Sequence, residues 1–302
     1  MKTLLLIDAN SIIHRAFHAL PPLTSRRGKP IQALYGLSSI FLKLFRECKP
    51  DYAAALFDRP EPTFRKEKYP EYKAQRPKAV DELVSQIIEA RDFFPAFGIR
   101  IFEKPGFEAD DLIATFAEKF KNEPDVQVVV LTGDRDTLQL VEGEKVVVRT
   151  FKTGISDTMT YDEKAVMVKY GLRPDQLIDY KALVGDPSDN IKGVLGIGPK
   201  TALAILTRFN TLENAYEHME EDPKLEAKLA PFKKDAFLAK ELVTLDRHAP
   251  IESGSIESLK VNFTEEEVEK YFIQNGFDTL LKRLKNGTVP GKIPRKKPPS
   301  LF

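Results

Sequence analysis

The sequence predicts an α/β protein built on a mostly parallel β-sheet that is covered by helices on both faces. Four short apolar runs alternate with longer segments of helical periodicity, which is the pattern of parallel strands joined by crossover helices. The runs are continuous rather than alternating, which indicates strands buried on both faces of the sheet. The four predicted strands are residues 4–7, 52–57, 99–102 and 126–131.

The first quarter of the chain contains the first two strands. The first strand ends at Asp8, and a helix is expected directly after it. Residues 21–30 are rich in Pro, Arg, Gly and Ser and predict a loop, whereas residues 31–48 predict a long helix. The second strand ends at Asp58, so each of these strands leads into an aspartate.

A basic and aromatic segment, residues 59–78, follows the second strand. It has seven basic residues against three acidic ones, with Phe64, Tyr69 and Tyr72 interleaved. A solvated mobile loop is one interpretation. We favour a segment that grips single-stranded nucleic acid, with cations on phosphates and rings on bases, because it begins directly after a strand-end aspartate. Arg65 and Tyr72 are its candidate nucleic-acid-binding residues.

The alternation of strands and helices continues through the middle of the chain. Residues 80–97 predict a helix before the third strand, and residues 106–113 begin another helix before the fourth strand. A hairpin is expected around Gly154, and two helices are expected at residues 161–171 and 175–184.

Carboxylates follow the end of every predicted strand. Parallel strands bring these ends to one edge of the sheet, outside which the sites of open α/β proteins form, so the acids should converge. Unpaired carboxylates this close raise one another's pKa, and a hard divalent cation neutralises them. Ligation by oxygen alone favours Mg²⁺, with Mn²⁺ as a substitute. The seven acids are Asp8, Asp58, Glu108, Asp110, Asp111, Asp134 and Asp136.

Two more aspartates, Asp186 and Asp189, lie in the segment Gly185-Asp186-Pro187-Ser188-Asp189-Asn190. Aspartate is common in turns, where its side chain hydrogen-bonds to the backbone. Both residues could equally be further metal ligands, and the residue pattern alone leaves the two interpretations even.

A glycine-rich segment, residues 193–202, predicts a hairpin between two helices. A P-loop is excluded because no strand precedes the segment and Pro199 separates its last glycine from the lysine. Gly196 and Gly198 permit a tight turn, and proline suits the first turn of the next helix. The free N–H groups there, with Lys200 and Thr201, would hold a phosphate without reading base sequence.

Composition narrows the class of protein but says little about partners. The chain has 302 residues, with 46 basic and 45 acidic ones, so overall charge favours no partner. A single cysteine, Cys48, excludes a disulfide framework and any multi-cysteine metal site and fits a reducing cytoplasm. No apolar run is long enough for a membrane span, and an early acid excludes a signal peptide. Residues 286–302 contain no acids and four prolines, which predicts a disordered basic tail.

The motifs together resemble the 5′-nuclease (flap endonuclease) family, as found at the N-terminus of bacterial DNA polymerase I and in free-standing 5′–3′ exonucleases. The resemblance covers about residues 1–285, and the sequence leaves open whether the chain is stand-alone or a domain cut from a polymerase. It rests on Asp8 after the first strand and on the motifs Leu56-Phe57-Asp58, Phe64-Arg65, Tyr72-Lys73-Ala74-Gln75-Arg76, Gly106-Phe107-Glu108-Ala109-Asp110-Asp111, Thr132-Gly133-Asp134-Arg135-Asp136, Gly185-Asp186-Pro187-Ser188-Asp189-Asn190 and Gly196-Ile197-Gly198-Pro199-Lys200-Thr201-Ala202.

The resemblance implies a PIN-like fold in three parts. Residues 1–180 should form the nuclease core, with a helical arch at about residues 64–90 over the site. Residues 181–285 should form a helical DNA-binding subdomain, in which a helix-three-turn-helix element at residues 193–202 holds duplex DNA with a K⁺ ion at its backbone carbonyls. Residues 286–302 remain as the tail.

The resemblance also assigns roles to residues. Asp8, Asp58, Glu108, Asp110 and Asp111 should serve one metal ion, and Asp134, Asp136, Asp186 and Asp189 a second one. Lys73 and Arg76 should contact the scissile phosphate.

The function implied is two-metal hydrolysis of DNA phosphodiesters during primer removal and repair, giving 5′-phosphate and 3′-hydroxyl ends. The protein is expected to be a monomer that acts on flapped, nicked or gapped duplexes. One alternative is a PIN-type metal-dependent ribonuclease, and the other is a non-catalytic binder of branched DNA. The last residues, Pro298-Pro299-Ser300-Leu301-Phe302, resemble a sliding-clamp docking peptide that lacks its usual glutamine; a plain disordered tail is the favoured interpretation.

Overall fold

The computed structural model describes residues 1–25, 28–155 and 157–288. In these ranges the central element is a six-stranded sheet in which five strands are parallel and the last, an edge strand, is antiparallel. The mostly parallel sheet is therefore confirmed. In chain order its strands are β1 (Lys2–Asp8), β2 (Tyr52–Phe57), β3 (Arg100–Glu103), β4 (Val126–Leu131), β5 (Val146–Thr153) and β6 (Asp157–Tyr161), and their spatial order is β3-β2-β1-β4-β5-β6.

Helices lie on both faces of the sheet and continue beyond it. A short pair of strands, β7 (Gly185–Asp186) and β8 (Ile191–Lys192), interrupts their succession. The helices are α1 (Ala9–Ala19), α2 (Gln32–Glu47), α3 (Phe64–Lys68), α4 (Asp81–Ala96), α5 (Ala109–Phe120), α6 (Glu163–Tyr170), α7 (Gln176–Val184), α8 (Pro199–Phe209), α9 (Leu212–Glu217), α10 (Pro223–Leu229), α11 (Lys233–Val243), α12 (Glu265–Asn275) and α13 (Asp278–Arg283).

The core has two parts, one on each face of the sheet, because successive side chains of a strand point in opposite directions. On β1, Leu4 and Leu6 pack with α5 and with helices of the C-terminal half. Leu5 and Ile7 pack on the other face with α1, α2 and α4. All four leucine and isoleucine side chains are buried, which explains why the strand is continuously apolar.

The strand register brings the carboxylates to one edge of the sheet. Asp8, the last residue of β1, pairs with Leu56 of β2, and Ile7 pairs with Leu131 at the end of β4. Asp58, which follows β2, and the segment that follows β4 therefore lie at the same edge of the sheet as Asp8. Because all three strands are parallel, the convergence follows from the register alone.

The boundaries of the third strand and of the proposed core differ from the prediction. The strand is Arg100–Glu103, one residue later than expected, because it is an edge strand with only Phe102 buried. Residue 180 falls inside α7, so no domain boundary lies there. The hairpin around Gly154 is confirmed as β5 and β6, and it extends the main sheet.

The C-terminal helices α12 and α13, which the predicted division assigns to the DNA-binding subdomain at residues 181–285, pack against the core of the sheet. Their apolar side chains, among them Phe272 and Phe277, join the core on the α2 and α4 face of the sheet. The ring of Phe272 lies 6.3 Å from that of Phe97 at the end of α4. Burial of these rings accounts for the return of the chain to the core.

The segment at residues 64–90 is only partly helical, and an arch over the site stays a prediction. Helix α3 is five residues long, and turns occupy residues 70–76. Residues from Asp81 onwards belong to α4, which packs in the core through Leu83, Ala90 and Phe93. Prolines at positions 70 and 77 stop a longer helix from forming across the segment.

The connection between α7 and α8 contains the strand pair β7 and β8 and then a turn at residues 194–197, and its assignment as a helix-hairpin-helix stays a prediction. Gly198 is the N-cap of α8 and Pro199 its first residue. A Cβ atom on Gly193 would lie 2.3 Å from the backbone nitrogen of Gly185, so the two ends of the connection approach closely only because both are glycine.

The predicted tail, residues 286–302, lies almost entirely outside the described residues. In the portion that is described, no helix has both the length and the apolar character that crossing a bilayer requires.

Candidate functional site

The first group of carboxylates is built around the end of β1. Asp8 caps α1 by accepting a hydrogen bond from the backbone N–H of Ser11 at 3.0 Å, and its other oxygen accepts one from the Thr132 hydroxyl at 2.6 Å. Burial, followed by the charges of Asp58 and Asp134, raises the pKa of Asp8 to about 7. The charged form of Asp8 is therefore disfavoured without a cation.

Asp110 is the member of this group that is left without a partner. Its Oδ1 atom is buried and accepts no hydrogen bond within the described part of the chain. Burial, and then the charges of Asp8, Asp134 and Asp58, raise the pKa of Asp110 well above its ordinary value. Asp58 in turn accepts a 2.8 Å hydrogen bond from the backbone N–H of Ala109 at the start of α5, which holds both carboxylates at the N-terminus of this helix.

The second group comprises Asp136, Asp186 and Asp189, each of which offers one oxygen within 4.8 Å of the others. Asp134 is joined to them because its Oδ1 accepts a 2.9 Å hydrogen bond from the backbone N–H of Asp136. Burial, with the charge of Asp134, raises the pKa of Asp136 to about 7. Asp186 and Asp189 are thus brought to the metal-binding candidates, which the sequence alone left undecided.

Lys181 is a residue of this site that the sequence analysis missed. Its ammonium group, on α7, pairs with Asp136 and, at 2.7 Å, with Asp186. Although burial disfavours the Asp186 charge, Lys181 and the Ser188 hydrogen bonds lower the pKa of this carboxyl. The available signal was a lone lysine in the otherwise apolar last turns of a helix that ends just before Asp186.

Lys73 and Arg76, the predicted phosphate ligands, lie against the carboxylates. Lys73 donates to Glu108 at 2.9 Å, and Arg76 donates to Asp189 at 2.5 Å. Lys73 has a φ of +53°, which is uncommon for a residue with a side chain and marks a position that its surroundings hold in place. The holding contact is a 2.9 Å hydrogen bond from its N–H to the carbonyl of Asp189.

The basic segment and the loop after α7 are tied together by further polar contacts. The Asn190 side chain donates to the carbonyl of Glu71 at 2.8 Å, and the Gln75 side chain donates to the carbonyl of Pro187 at 2.9 Å. These contacts hold Lys73 and Arg76 in place relative to the second group of carboxylates.

Asp111 and Arg65 differ from their predicted roles as metal ligand and DNA-binding residue. They form a buried bidentate ion pair with two 2.7 Å hydrogen bonds, and both side chains are at most 1% exposed. Asp111 also accepts hydrogen bonds from the backbone N–H groups of Glu108 and Asp246. Its oxygens are already bonded and Arg65 does not reach the surface, so the pair is structural.

Tyr72 is also buried rather than available for stacking on a base. It is 4% exposed, and its hydroxyl donates toward Glu108 at 3.0 Å and Asp189 at 3.2 Å. The hydroxyl thereby bridges Glu108 and Asp189.

The predicted phosphate-binding residues of the hairpin lie at the beginning of α8. Gly196, Gly198 and Lys200 are exposed and Thr201 is half-buried, so the N-terminus of this helix is open to solvent. Contact with DNA at these residues stays a prediction.

The carboxylates fit a hard divalent cation. All the donors are oxygens, one of them is buried without a partner, and three converge within 4.8 Å.

Two family models match consecutive parts of the chain: the N-terminal resolvase-like domain of 5′–3′ exonucleases over residues 3–171, and their C-terminal SAM-fold domain over residues 172–267. The chain belongs to the 5′–3′ exonuclease family.

Curated relatives of this exonuclease-family chain include polymerases and a free-standing exonuclease. DNA polymerase I of Caldicellulosiruptor bescii is 40% identical over 93% of the chain, and that of Bacillus subtilis is 40% identical over 94%. The chain spans only about a third of the length of these polymerases, 33% and 32%. The 5′–3′ exonuclease of Aquifex aeolicus is 38% identical, with 86% of this chain matching 87% of that protein.

Solved structures share the fold of this family member. The bacteriophage T5 flap endonuclease, determined as a complex with DNA and metal ions, has a TM-score of 0.66 at 20% identity, covering 95% of this chain and 99% of that one. The catalytic core of Rad2, determined with a DNA substrate, has a TM-score of 0.58 at 14% identity, covering 94% and 92%. At these identities the likeness establishes the PIN-like 5′-nuclease fold.

We expect the metal-free protein to lose stability as pH rises from about 4 to about 7. Asp8 and Asp136 have folded-state pKa values of about 7, above the ordinary value of 3.8. The folded state therefore binds more protons than the unfolded state in this window, so the free energy of unfolding falls with pH, by at least about 1 kcal/mol. Urea unfolding in EDTA at pH 5, 6, 7 and 8 measures the effect.

A divalent cation should reverse this trend, because it binds the charged carboxylates and its affinity rises with pH. The double variant Asp8→Asn/Asp136→Asn is the matched control and should show a flatter pH profile. A free energy of unfolding that rises between pH 5 and pH 7 in EDTA would contradict the assignment of these carboxyls.

Proposed function

We propose that the chain is a structure-specific 5′ nuclease that hydrolyses DNA phosphodiesters with two Mg²⁺ ions, as a 5′–3′ exonuclease and 5′-flap endonuclease. The observation on which this rests is the buried, unpartnered oxygen of Asp110 among carboxylates that face Lys73 and Arg76. Carboxylates for a cation and cations for a phosphate thus meet at one edge of the sheet. Products would have 5′-phosphate and 3′-hydroxyl ends, as primer removal and repair require.

The residues divide into two ligand groups, and Mn²⁺ would fit the same oxygens. When bound, the divalent cations supply a lowered pKa for water and stabilisation of the charge on the leaving 3′ oxygen. The first group is Asp8, Asp58, Glu108 and Asp110, and the second is Asp134, Asp136, Asp186 and Asp189.

Lys73 and Arg76 would bind the scissile phosphate and stabilise the negative charge that grows on it during hydrolysis. Their side chains are 25% and 47% exposed, so each is anchored at the carboxylates and still accessible from solvent. The left-handed backbone at Lys73 fixes the direction from which its ammonium reaches the site.

Duplex DNA would be held at the start of α8. The open N–H groups there, with Lys200 and Thr201, suit a phosphate of the backbone. A K⁺ ion at the carbonyls of the connection between α7 and α8 is part of the same proposal.

The test is cleavage of an end-labelled 5′-flap duplex in Mg²⁺ and in EDTA, beside a single-stranded RNA of the same sequence. We expect metal-dependent cutting near the flap junction and little cutting of RNA. Preferential cutting of RNA would favour the PIN-type ribonuclease. Binding of the flap without cutting in Mg²⁺ or Mn²⁺ would favour the non-catalytic binder.

Replacing Lys73 with Ala should lower kcat on flap DNA by about 100-fold or more, the loss typical of one transition-state donor, while the Kd for duplex DNA changes little. Single-turnover kinetics and fluorescence anisotropy separate the two effects. Lys152→Ala is the matched control, because Lys152 is an exposed lysine on β5, outside the basic segment. Equal losses in rate and affinity would argue against a role in the transition state.

Three further expectations remain proposals: a monomeric state, a cytoplasmic location at the bacterial nucleoid, and docking of the C-terminus on the sliding clamp. The docking residues, 298–302, lie outside the described residues. Unchanged clamp affinity after their deletion would exclude the interaction.

A further inference from the structure

A cavity of about 320 Å³ opens beside the second group of carboxylates. Its lining comes from the end of α6, from α7, from the short 3₁₀ turn Asp136–Leu140 with the preceding Arg135, and from the loop after α7. Leu177 is buried, Tyr170, Tyr180 and Lys181 are half-buried, and Arg135 is exposed. The lining therefore combines the buried apolar Leu177 with two half-buried aromatic rings and the exposed cation of Arg135.

The lining suits a small planar ligand. Small-molecule sites have volumes of roughly 300 to 1,000 Å³ and are mostly apolar with a few polar groups, so this cavity has room for one aromatic heterocycle and no room for a duplex. Tyr170 and Tyr180 both line the cavity, and each side chain is half-buried. Two aromatic rings beside the aliphatic chains of Leu177 and Val184 are surfaces on which a nucleobase stacks.

The position of the cavity connects it to the carboxylates. Asp136 and Asp186 are part of its lining, and Lys181 pairs with both of them. The charges of Arg135 and Lys181 balance those of the two aspartates. A neutral base therefore fits the interior better than a phosphate, which the two aspartates would repel and which only the exposed Arg135 would attract.

We propose that this cavity binds one unpaired nucleobase of the DNA strand that the neighbouring carboxylates cleave. The proposal rests on the proposed nuclease function and deepens it, because it gives the site a contact with a base in addition to its contacts with phosphates. It also explains why two tyrosines line a cavity at a carboxylate cluster. Since every base has a face that stacks, the contact would favour unpaired structure over particular sequence.

The experiment combines protein variants with abasic DNA. A set of flap substrates has one nucleotide at a time, on either side of the junction, replaced by an abasic residue. Each substrate is tested with the wild type, Tyr180→Ala, Tyr180→Phe and Tyr170→Ala, after thermal unfolding has shown that the variants fold. The readouts are kcat/KM in Mg²⁺ and, by fluorescence anisotropy in EDTA, Kd.

We expect one substrate position at which removal of the base lowers the wild-type kcat/KM or raises its Kd about tenfold. Tyr180→Ala should lose about as much on intact DNA and be indifferent to the abasic residue at that position, because the same contact is already absent. Tyr180→Phe should behave as the wild type, since it keeps the ring. At the other positions the effects should multiply.

The proposal would be overturned if, at every position, the loss from the abasic residue and the loss from the tyrosine variant simply multiplied, for both Tyr170→Ala and Tyr180→Ala. If the wild type cleaves the flap but no position shows such coupling, the base site is excluded and the nuclease function stands. Coupling in Kd with no cleavage of any substrate has the opposite meaning, because it supports the base site and removes the nuclease function.

Discussion

The variant Asp110→Asn should lose at least about 1,000-fold in DNA cleavage while its metal-free form becomes more stable than the wild type. The two effects have one cause. Asp110 is a buried carboxyl whose pKa is raised well above the ordinary value by burial and by Asp8, Asp134 and Asp58. An amide removes a carboxyl whose charged form the folded protein disfavours, and it removes a ligand that the cation requires.

Thermal unfolding in EDTA and in Mg²⁺, beside flap-cleavage rates, measures both effects at pH 8. The Tm of the wild type should rise when Mg²⁺ is added, whereas Asp110→Asn should start higher and rise less. Glu123→Gln is the matched control, because Glu123 lies three residues after the last residue of α5 and outside both ligand groups; it should behave as the wild type. Near-normal turnover by Asp110→Asn, or a rise in its Tm with Mg²⁺ as large as that of the wild type, would contradict the assignment of Asp110 as a metal ligand.

The convergence of carboxylates could be predicted because it depends on few facts. A parallel sheet and the positions of the strand ends suffice to bring Asp8, Asp58 and Asp134 to one edge, and both are visible as continuous apolar runs that stop at acids. The number of residues between these acids does not matter, because the hydrogen-bonded register of the sheet sets how close the strand ends lie in space.

The sequence could not predict that Asp110 is left without a partner whereas Asp111 forms an ion pair. The two residues are adjacent on α5 and so point about 100° apart, but the sequence does not show what each direction meets. One oxygen of Asp110 is buried without a partner among other acids, whereas both oxygens of Asp111 accept from Arg65, which is 46 residues away. Only the packing of α3 against α5 decides which of the two is free.

The same limit applies to the C-terminal helices. Their apolar periodicity predicts that Phe272 and Phe277 are buried, but either face of the sheet could receive them. The structure places them against α2 and α4, so the division into domains followed the family pattern rather than the contacts. Lys181 and the tyrosines of the cavity were missed for a related reason, because each matters only through neighbours distant in sequence.

Replacing Arg65 with Ala should lower the free energy of unfolding by about 3 to 5 kcal/mol, the cost typical of breaking a buried ion pair. The guanidinium also donates to the carbonyls of Leu242 and Thr244, each at 2.8 Å, so its loss leaves Asp111 charged and two carbonyls unsatisfied. Urea unfolding measures the change. Arg59→Ala is the control, because Arg59 pairs with Glu61 and Glu103 while 32% exposed and should cost at most about 1 kcal/mol.

Two more variants separate a structural Arg65 from one that binds DNA. Arg65→Lys keeps the charge but cannot form the bidentate pair with Asp111, so it should still be clearly destabilised. Arg65→Met/Asp111→Leu removes both charges and should recover part of the stability that Arg65→Ala loses. Because the guanidinium is buried where it joins α3, α5 and the segment after α11, the salt dependence of DNA affinity should be the same for the wild type and the folded fraction of each variant. A shallower salt dependence in Arg65→Lys or the double variant, with normal stability, would return Arg65 to the DNA-binding surface.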